Sequence, residues 1–313
     1  MIDKLASDTN RFKRQTYAFR NARSAFKAYL ESLHLQDDEY VLLPSFIGWS
    51  SREGSGVFDP VKELGIRHAF YKLNKDLCID VEHLKATVGA NKTALIVIIH
   101  YFGFVDPSYH QIIDLSKEWG IPVLEDEAHA LYTDIVGGVS GRLGDAAIFS
   151  LHKMLPVPSG GVLCINSTPP RKDYATIGNA VNVPLHEYDL KAIADTRLTN
   201  METLRALLVP HQETIKPLRP FVGPGEIPQT FPVLIGDVSR DRLYELMNEA
   251  GFGVVSLYHT LIKEITLDLF PESFFVSERI LNLPVHQDAK FSMMKPMVET
   301  LVNLISKLKD ELR

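Results

Sequence analysis

Phe149-Ser150-Leu151-His152-Lys153, followed by Met-Leu-Pro-Val-Pro-Ser and then Gly160-Gly161, is the stretch that decides the fold. An apolar run from Ala146 stops abruptly at polar residues, and a second apolar run resumes at Gly161. Upstream, Val123-Leu124 runs into Glu125-Asp126-Glu127-Ala128-His129 in the same way. Each block reads as a buried strand with chemistry at its end. One end carries a carboxylate, the other a lysine.

Working outward, strand and helix alternate. Ala22, Ala25, Phe26, Tyr29, Leu30 and Leu33 recur at helical spacing and predict an amphipathic helix over 20–34. Tyr40-Val-Leu-Leu-Pro44 predicts a strand, followed by a Ser- and Gly-rich segment over 45–56. Further strands are expected at 68–73, 94–99, 123–124, 146–151 and 161–165, with helices at 81–88 and 111–119. This alternation predicts βαβ units in a mostly parallel sheet whose strands are covered on both faces. Past about residue 195 the pattern changes. Helices are expected at 198–208, 240–250 and 294–308, with strands at 230–235 and 254–257. The expected division is a large domain, 1–195, and a smaller C-terminal α+β domain, 196–313.

The 313 residues are 45% hydrophobic and 23% charged, an ordinary globular balance with enough apolar surface for a core. A formal net charge of −6 argues against a general nucleic-acid binder. Cys78 and Cys164 are far apart and form neither a disulfide framework nor a zinc spacing. The first residues lack the apolar core of a signal peptide, and the most apolar run, 93–104, is too short to span a bilayer. These features predict a cytoplasmic protein without a membrane partner or a metal site.

A buried acid and a reactive amine on successive strand ends are what a pyridoxal phosphate (PLP) site needs. Lys153 would bond covalently to the cofactor aldehyde. Asp126 would pair with the pyridine nitrogen and keep it protonated. The hydroxyls and backbone N–H groups around Ser50 and Ser51, expected between a strand and a helix, would hold a phosphate. Blander readings stand beside these. Asp126 and the two serines also suit helix caps, His129 also suits a structural histidine, and Gly160-Gly161 also suits a plain turn.

In this order the blocks resemble the DegT/StrS family of PLP-dependent sugar aminotransferases, which have the aspartate aminotransferase-like fold. Glu125-Asp126-Glu127-Ala128-His129 is similar to the family's E-D-a-A-q/h block. Gly144-Asp145-Ala-Ala-Ile-Phe149-Ser150-Leu151 is similar to its G-D-x-x-x-F-S-F block. Lys153 precedes a double glycine as the family's lysine does. His100-Tyr101-Phe102-Gly103 resembles its H-x-y/f-G turn, and Ile280-Leu-Asn-Leu-Pro284 its late L-s-L-P segment. The resemblance implies that Asp126 meets the pyridine nitrogen, that His129 lies by the ring or its 3′ oxygen, and that Ser51 and Ser150 bind the phosphate. Two departures stand out. The spacing from Ser150 to Lys153 is two residues shorter than the commoner pattern, and the family's N-x-R-M segment is not recognisable between Gly178 and Leu198.

The function implied is transfer of an amino group from an amino acid, with glutamate commonest in the family, to a nucleotide-linked keto-sugar. The implied setting is surface polysaccharide or lipopolysaccharide biosynthesis, and the implied assembly is a homodimer. Two other functions are carried beside this one. The first is a PLP-dependent sugar dehydratase, whose few family members replace the lysine with histidine. The second is a non-catalytic binding or regulatory protein of the same fold.

Overall fold

The computed structural model describes residues 14–166 and 185–311. The chain enters through β1 (Gln15–Phe19) and α1 (Ala22–Ser32). There follow β2 (Tyr40–Pro44), α2 (Phe58–Glu63), β3 (Arg67–Tyr71), α3 (Val81–Ala90) and β4 (Thr93–Ile99). Next come α4 (Tyr109–Trp119), β5 (Val123–Asp126), β6 (Ala146–Ser150) and β7 (Gly161–Ile165). These strands form one seven-stranded sheet in the order β1-β7-β6-β5-β4-β2-β3. The pairs from β3 through β6 are all parallel, and β7 runs antiparallel between β6 and β1. The expected mostly parallel α/β sheet is therefore present. Every residue of β5, β6 and β7 is buried, as a sheet covered on both faces requires.

Local chemistry explains the helices. Asn21 caps α1 by accepting the Ser24 N–H at 2.9 Å, and Asp80 caps α3 through the His83 N–H at 2.9 Å. The periodic face of α1 buries Ala25, Phe26, Tyr29 and Leu30. Each large apolar side chain so buried contributes about 1.5–3 kcal/mol. Gly120, at φ +68°, ends α4 in the left-handed conformation, and Pro122 prevents its resumption.

The remainder of the chain comprises α5 (Leu190–Leu208), β8 (Ile215–Pro217), β9 (Thr230–Ile235), α6 (Arg240–Glu249), α7 (Pro271–Ser277), β10 (Ile280–Pro284) and α8 (Met294–Glu311). Its three strands make a second, antiparallel sheet in the order β10-β9-β8. The strand expected at 254–257 is not one. Val255 makes only an isolated bridge to Asn282, because Gly251 and Gly253 take positive φ and the chain bends away after Ser256. The strand β1 was not expected from the sequence. No helix among the described residues is long and apolar enough to cross a membrane.

Candidate active site

The parallel pairing of β5 and β6 sets Asp126 opposite Ile148, so both strands end at the same edge of the sheet. Asp126 is the last residue of β5 and Ser150 the last of β6, and Lys153 follows in a single helical turn over Leu151–Lys153. The two blocks singled out in the sequence thus meet where open α/β sheets bind ligands, at the carboxyl ends of strands.

Gly160 and Gly161 serve more than a turn. Gly160 adopts φ +138°, and its carbonyl accepts the Leu151 N–H at 3.0 Å. A Cβ on Gly161 would lie 2.1 Å from the Asn21 carbonyl carbon and 2.5 Å from the Ala22 nitrogen. The Gly160 N–H donates to the Arg20 carbonyl at 2.9 Å. The double glycine therefore lets the N-terminus of α1 press against the turn that carries Lys153. The helix was predicted from the sequence, but the part its N-terminus plays at this turn was missed. Its available signal was Asn21-Ala22-Arg23-Ser24, a helix cap directly after an apolar alternation.

The serines of the first block fall elsewhere than expected. No helix follows Ser51 directly, since α2 starts only at Phe58, whose N–H donates to Ser55 Oγ at 3.2 Å. Ser50 and Gly54 instead close a tight turn with mutual backbone hydrogen bonds at 2.8 and 3.1 Å, and Ser50 Oγ accepts the Glu53 N–H at 3.1 Å. Gly54 holds this turn at φ +67°, which delays the helix. The Arg23 guanidinium donates to the Glu53 carbonyl and lies 3.7 Å from Asp59, so the turn containing Ser51 is tied to α1. Ser150 Oγ lies 3.4 Å from His152 Nδ1.

His129 lies beside the amine. Its Nε2 is 3.4 Å from Lys153 Nζ, and its Nδ1 accepts the Phe102 N–H at 3.4 Å. The His100-Tyr101-Phe102-Gly103 turn provides that N–H by placing Phe102 at φ +58°, strained by about 1 kcal/mol for a side chain with a Cβ. The rings of Phe102 and His129 stack at 5.8 Å. With Nδ1 accepting, the neutral tautomer of His129 carries its proton on Nε2. Burial and then the Lys153 charge hold His129 well below the ordinary imidazole range.

Burial lowers the Lys153 amine from its ordinary value, opposed by Asp126 and Glu53, with Arg23 adding a further repulsion. Lys153 is exposed as a residue, yet the protein packed around its ammonium disfavours the charged form. Asp126 is raised by burial, while the Ala128 N–H at 2.9 Å, Lys153 and His100 pull it down. Only its Oδ1 receives that hydrogen bond. Oδ2 has no donor among the described residues, leaving one oxygen of a buried aspartate free for a ligand proton.

Beneath Asp126, its chain neighbours form a closed ionic network. His100 Nε2 is 2.9 Å from Glu125 Oε2 and 3.3 Å from Glu127 Oε1. Glu125 also accepts from Tyr109 Oη, Gly141 N and Gly144 N, each at 2.7 Å. Burial opposes a charge on His100, but Glu127 and Glu125 outweigh it and raise the imidazole to about 9. Glu127 is pushed well above the carboxylate range by burial, despite His100.

The donor set fits PLP. A buried aspartate with an unpartnered oxygen lies near enough to Lys153 for the two charges to act on each other, and a neutral histidine adjoins the amine. The stretch between Gly178 and Leu198, where the family's N-x-R-M segment is not recognisable, lies partly outside the described residues.

Comparison with known proteins agrees with this reading. A Campylobacter jejuni protein, UDP-4-amino-4,6-dideoxy-N-acetyl-beta-L-altrosamine transaminase, is 24% identical, with 78% of this chain and 75% of that protein covered. Helicobacter pylori PseC, an aminotransferase involved in the biosynthesis of pseudoaminic acid, shares the fold at TM-score 0.73 and 16% identity, covering 94% of this chain and 87% of that one. Spr1654 of Streptococcus pneumoniae, described as a sugar aminotransferase and solved in its PLP form, superposes at TM-score 0.75 and 15% identity, covering 97% and 92%. The model of the DegT/DnrJ/EryC1/StrS aminotransferases matches residues 5–180, more than half of the sequence, and the chain belongs to that family.

Proposed function

We propose that this chain is a PLP-dependent aminotransferase that moves an amino group from an amino acid, glutamate foremost, to a nucleotide-linked keto-sugar. The observation that carries the proposal is the meeting of Asp126, His129 and Lys153 at the ends of β5 and β6. Family membership and the transaminase from Campylobacter jejuni support the sugar substrate.

PLP, when bound, supplies an aldehyde that captures amines and a ring that withdraws electrons from the captured carbon. Lys153 would hold the cofactor covalently and, once displaced by the donor amine, would be the base that takes the proton from the donor's α-carbon and then the acid that delivers it to the cofactor-side carbon of the captured amine. Its lowered basicity keeps part of the amine neutral and so able to accept that proton. Asp126 Oδ2 would hold the ring nitrogen in its protonated state. His129 would lie by the ring or its 3′ oxygen, offering its Nε2–H as a donor. The first turn of α1, together with Ser150 and Ser51, is proposed to hold the phosphate, since the free N–H groups of a helix start favour anions. Ser50 supports that turn through its bond to Glu53.

The same reading places the protein in the cytoplasm as a homodimer in polysaccharide or lipopolysaccharide biosynthesis. It divides the chain into a PLP-binding domain, 1–195, and a smaller domain, 196–313, with α5 passing between them. Mixing the PLP-loaded protein with glutamate and a panel of nucleotide-linked keto-sugars tests this. An aminated sugar and 2-oxoglutarate in equal amounts are expected. Loss of water from the sugar without amination would favour a dehydratase. No change with any amino acid or sugar would leave a binding protein.

A further inference from the structure

Tyr258 lies outside both strand-end blocks, in the connection between α6 and α7, yet its ring reaches the site. Its centroid is 5.1 Å from that of Phe46, 5.6 Å from Tyr101, 5.7 Å from His129 and 5.9 Å from Phe102. It stands edge-on to His129, with 72° between the rings. Its backbone is held at φ +61°, a conformation that L side chains rarely adopt. Strain of this kind persists only where the surroundings impose it. Here Ser277 Oγ donates to the Tyr258 carbonyl at 2.9 Å. The flanking chain is sewn to the exit of β2 by Trp49 N to Thr260 O at 2.9 Å and Ile262 N to Ile47 O at 3.0 Å.

Gly48 faces this ring directly. A Cβ there would lie 2.8 Å from Tyr258 Cδ1 and 3.4 Å from its Cα. Gly48 does not take a positive φ, so its backbone does not demand glycine. The space does. The Tyr258 hydroxyl has no hydrogen-bond partner among the described residues. Burial keeps it protonated, and the Asp126 carboxylate acts on it in the same direction. A strained aromatic residue, a cleared glycine and an unpaired phenol thus converge beside His129, within reach of the Asp126 charge.

We propose that Tyr258 is a contact residue of the cofactor ring, forming the wall that the C-terminal half gives to the Asp126–His129–Lys153 group, with Gly48 as the position that admits it. This inference rests on the PLP reading above. It explains why the C-terminal half is tied to β2 at this point: an aromatic wall on a separate segment makes cofactor affinity depend on that segment being in place.

The test is PLP titration of cofactor-free wild type, Tyr258→Ala, Tyr258→Leu and Gly48→Ala, followed by absorbance, with melting temperatures measured with and without PLP. Loss of an aromatic contact in a desolvated site is expected to weaken PLP by about tenfold or more in all three variants. The rise in melting temperature on adding PLP should shrink accordingly. Tyr258→Leu keeps apolar bulk, so it reports on the ring even if Tyr258→Ala does not fold. A residue that only packs the two halves together would lower the melting temperature of the cofactor-free protein and leave the PLP dissociation constant unchanged. Wild-type PLP affinity in Tyr258→Leu and Gly48→Ala, with wild type itself binding, overturns this inference alone. A wild type that captures no PLP overturns the functional reading and this inference with it.

Discussion

Lys153 Nζ lies 3.4 Å from His129 Nε2, so two groups able to carry a positive charge share one desolvated pocket. They cannot both be charged at that distance without large cost. His129 gives way, because burial and Lys153 both disfavour its imidazolium. The result is a fixed donor at Nε2 and an amine whose own proton is loosely held.

That loosened proton has a pH signature. Capture of PLP needs the neutral amine, so its rate should rise with pH through a midpoint below the ordinary lysine value of about 10.4. Glu53 raises the Lys153 value, and removing its charge should shift the midpoint to lower pH. Stopped-flow absorbance of cofactor-free wild type and Glu53→Gln between pH 6 and 10 measures both midpoints. An unmoved or upward-shifted midpoint in the variant contradicts the electrostatic account.

Lys153→Ala should abolish covalent capture and all amino transfer. The fold should survive, since Lys153 makes no salt bridge among the described residues and follows the strand instead of filling it. Borohydride treatment followed by mass spectrometry should add one PLP-derived mass to wild type and none to the variant. An adduct in the variant would assign the covalent link to another lysine.

The buried network beneath the site gives a stability signature. The folded His100 value of about 9 lies above the unfolded value of about 6.5. The stabilisation is therefore complete below pH 6.5 and is lost as pH rises through about 9. Urea midpoints should fall across that window in wild type. His100→Gln should start lower, by about 3–5 kcal/mol for a broken buried pair, and change little over the same range. Equal slopes in the two proteins would remove His100 from the account.

Gly161→Ala tests the seat of α1. The added methyl would enter the Asn21 backbone, so something must move, at a cost of about 1–3 kcal/mol. If the first turn of α1 holds the phosphate, affinity for PLP should fall more than affinity for phosphate-free pyridoxal. Equal losses for the two ligands would place the phosphate elsewhere.

Much of this was legible in the sequence because parallel strands advertise themselves. Continuous apolar runs ending at Asp126 and Ser150 give both the sheet and the edge where chemistry gathers. Lys153 could be found because its neighbours are fixed in order along one chain segment. The α1 N-terminus was harder, since β1 mixes polar and apolar residues, with the burial pattern of an edge strand exposed at its start. The helix expected straight after Ser50 and Ser51 starts later for a local reason. A Ser-Ser pair after a strand looks like a cap, but Gly54 closes a turn first and the helix begins only at Phe58. Tyr258 left no signal at all, because its place depends on a loop crossing back to Gly48 over a sequence gap that no periodicity spans.

Asp126→Asn separates binding from chemistry. Lys153, His129 and the phosphate contacts are intact in this variant, so PLP should still be captured. The amide cannot stabilise a protonated ring nitrogen by charge, and its NH2 group would offer a donor where the ring also needs to donate. The ring then withdraws electrons poorly, and removal of the donor's α-proton should slow. A loss on the order of 10²-fold or more in the glutamate half-reaction is expected, comparable to removing one preorganised electrostatic contact in a desolvated site. The free Oδ2 makes the effect specific, since Oδ1 already accepts the Ala128 N–H. Single-turnover release of 2-oxoglutarate from glutamate, with no sugar present, measures it directly. Full retention of that rate with PLP bound would show that the pyridine nitrogen meets some other group, and the placement of the cofactor between β5 and β6 would have to be reversed.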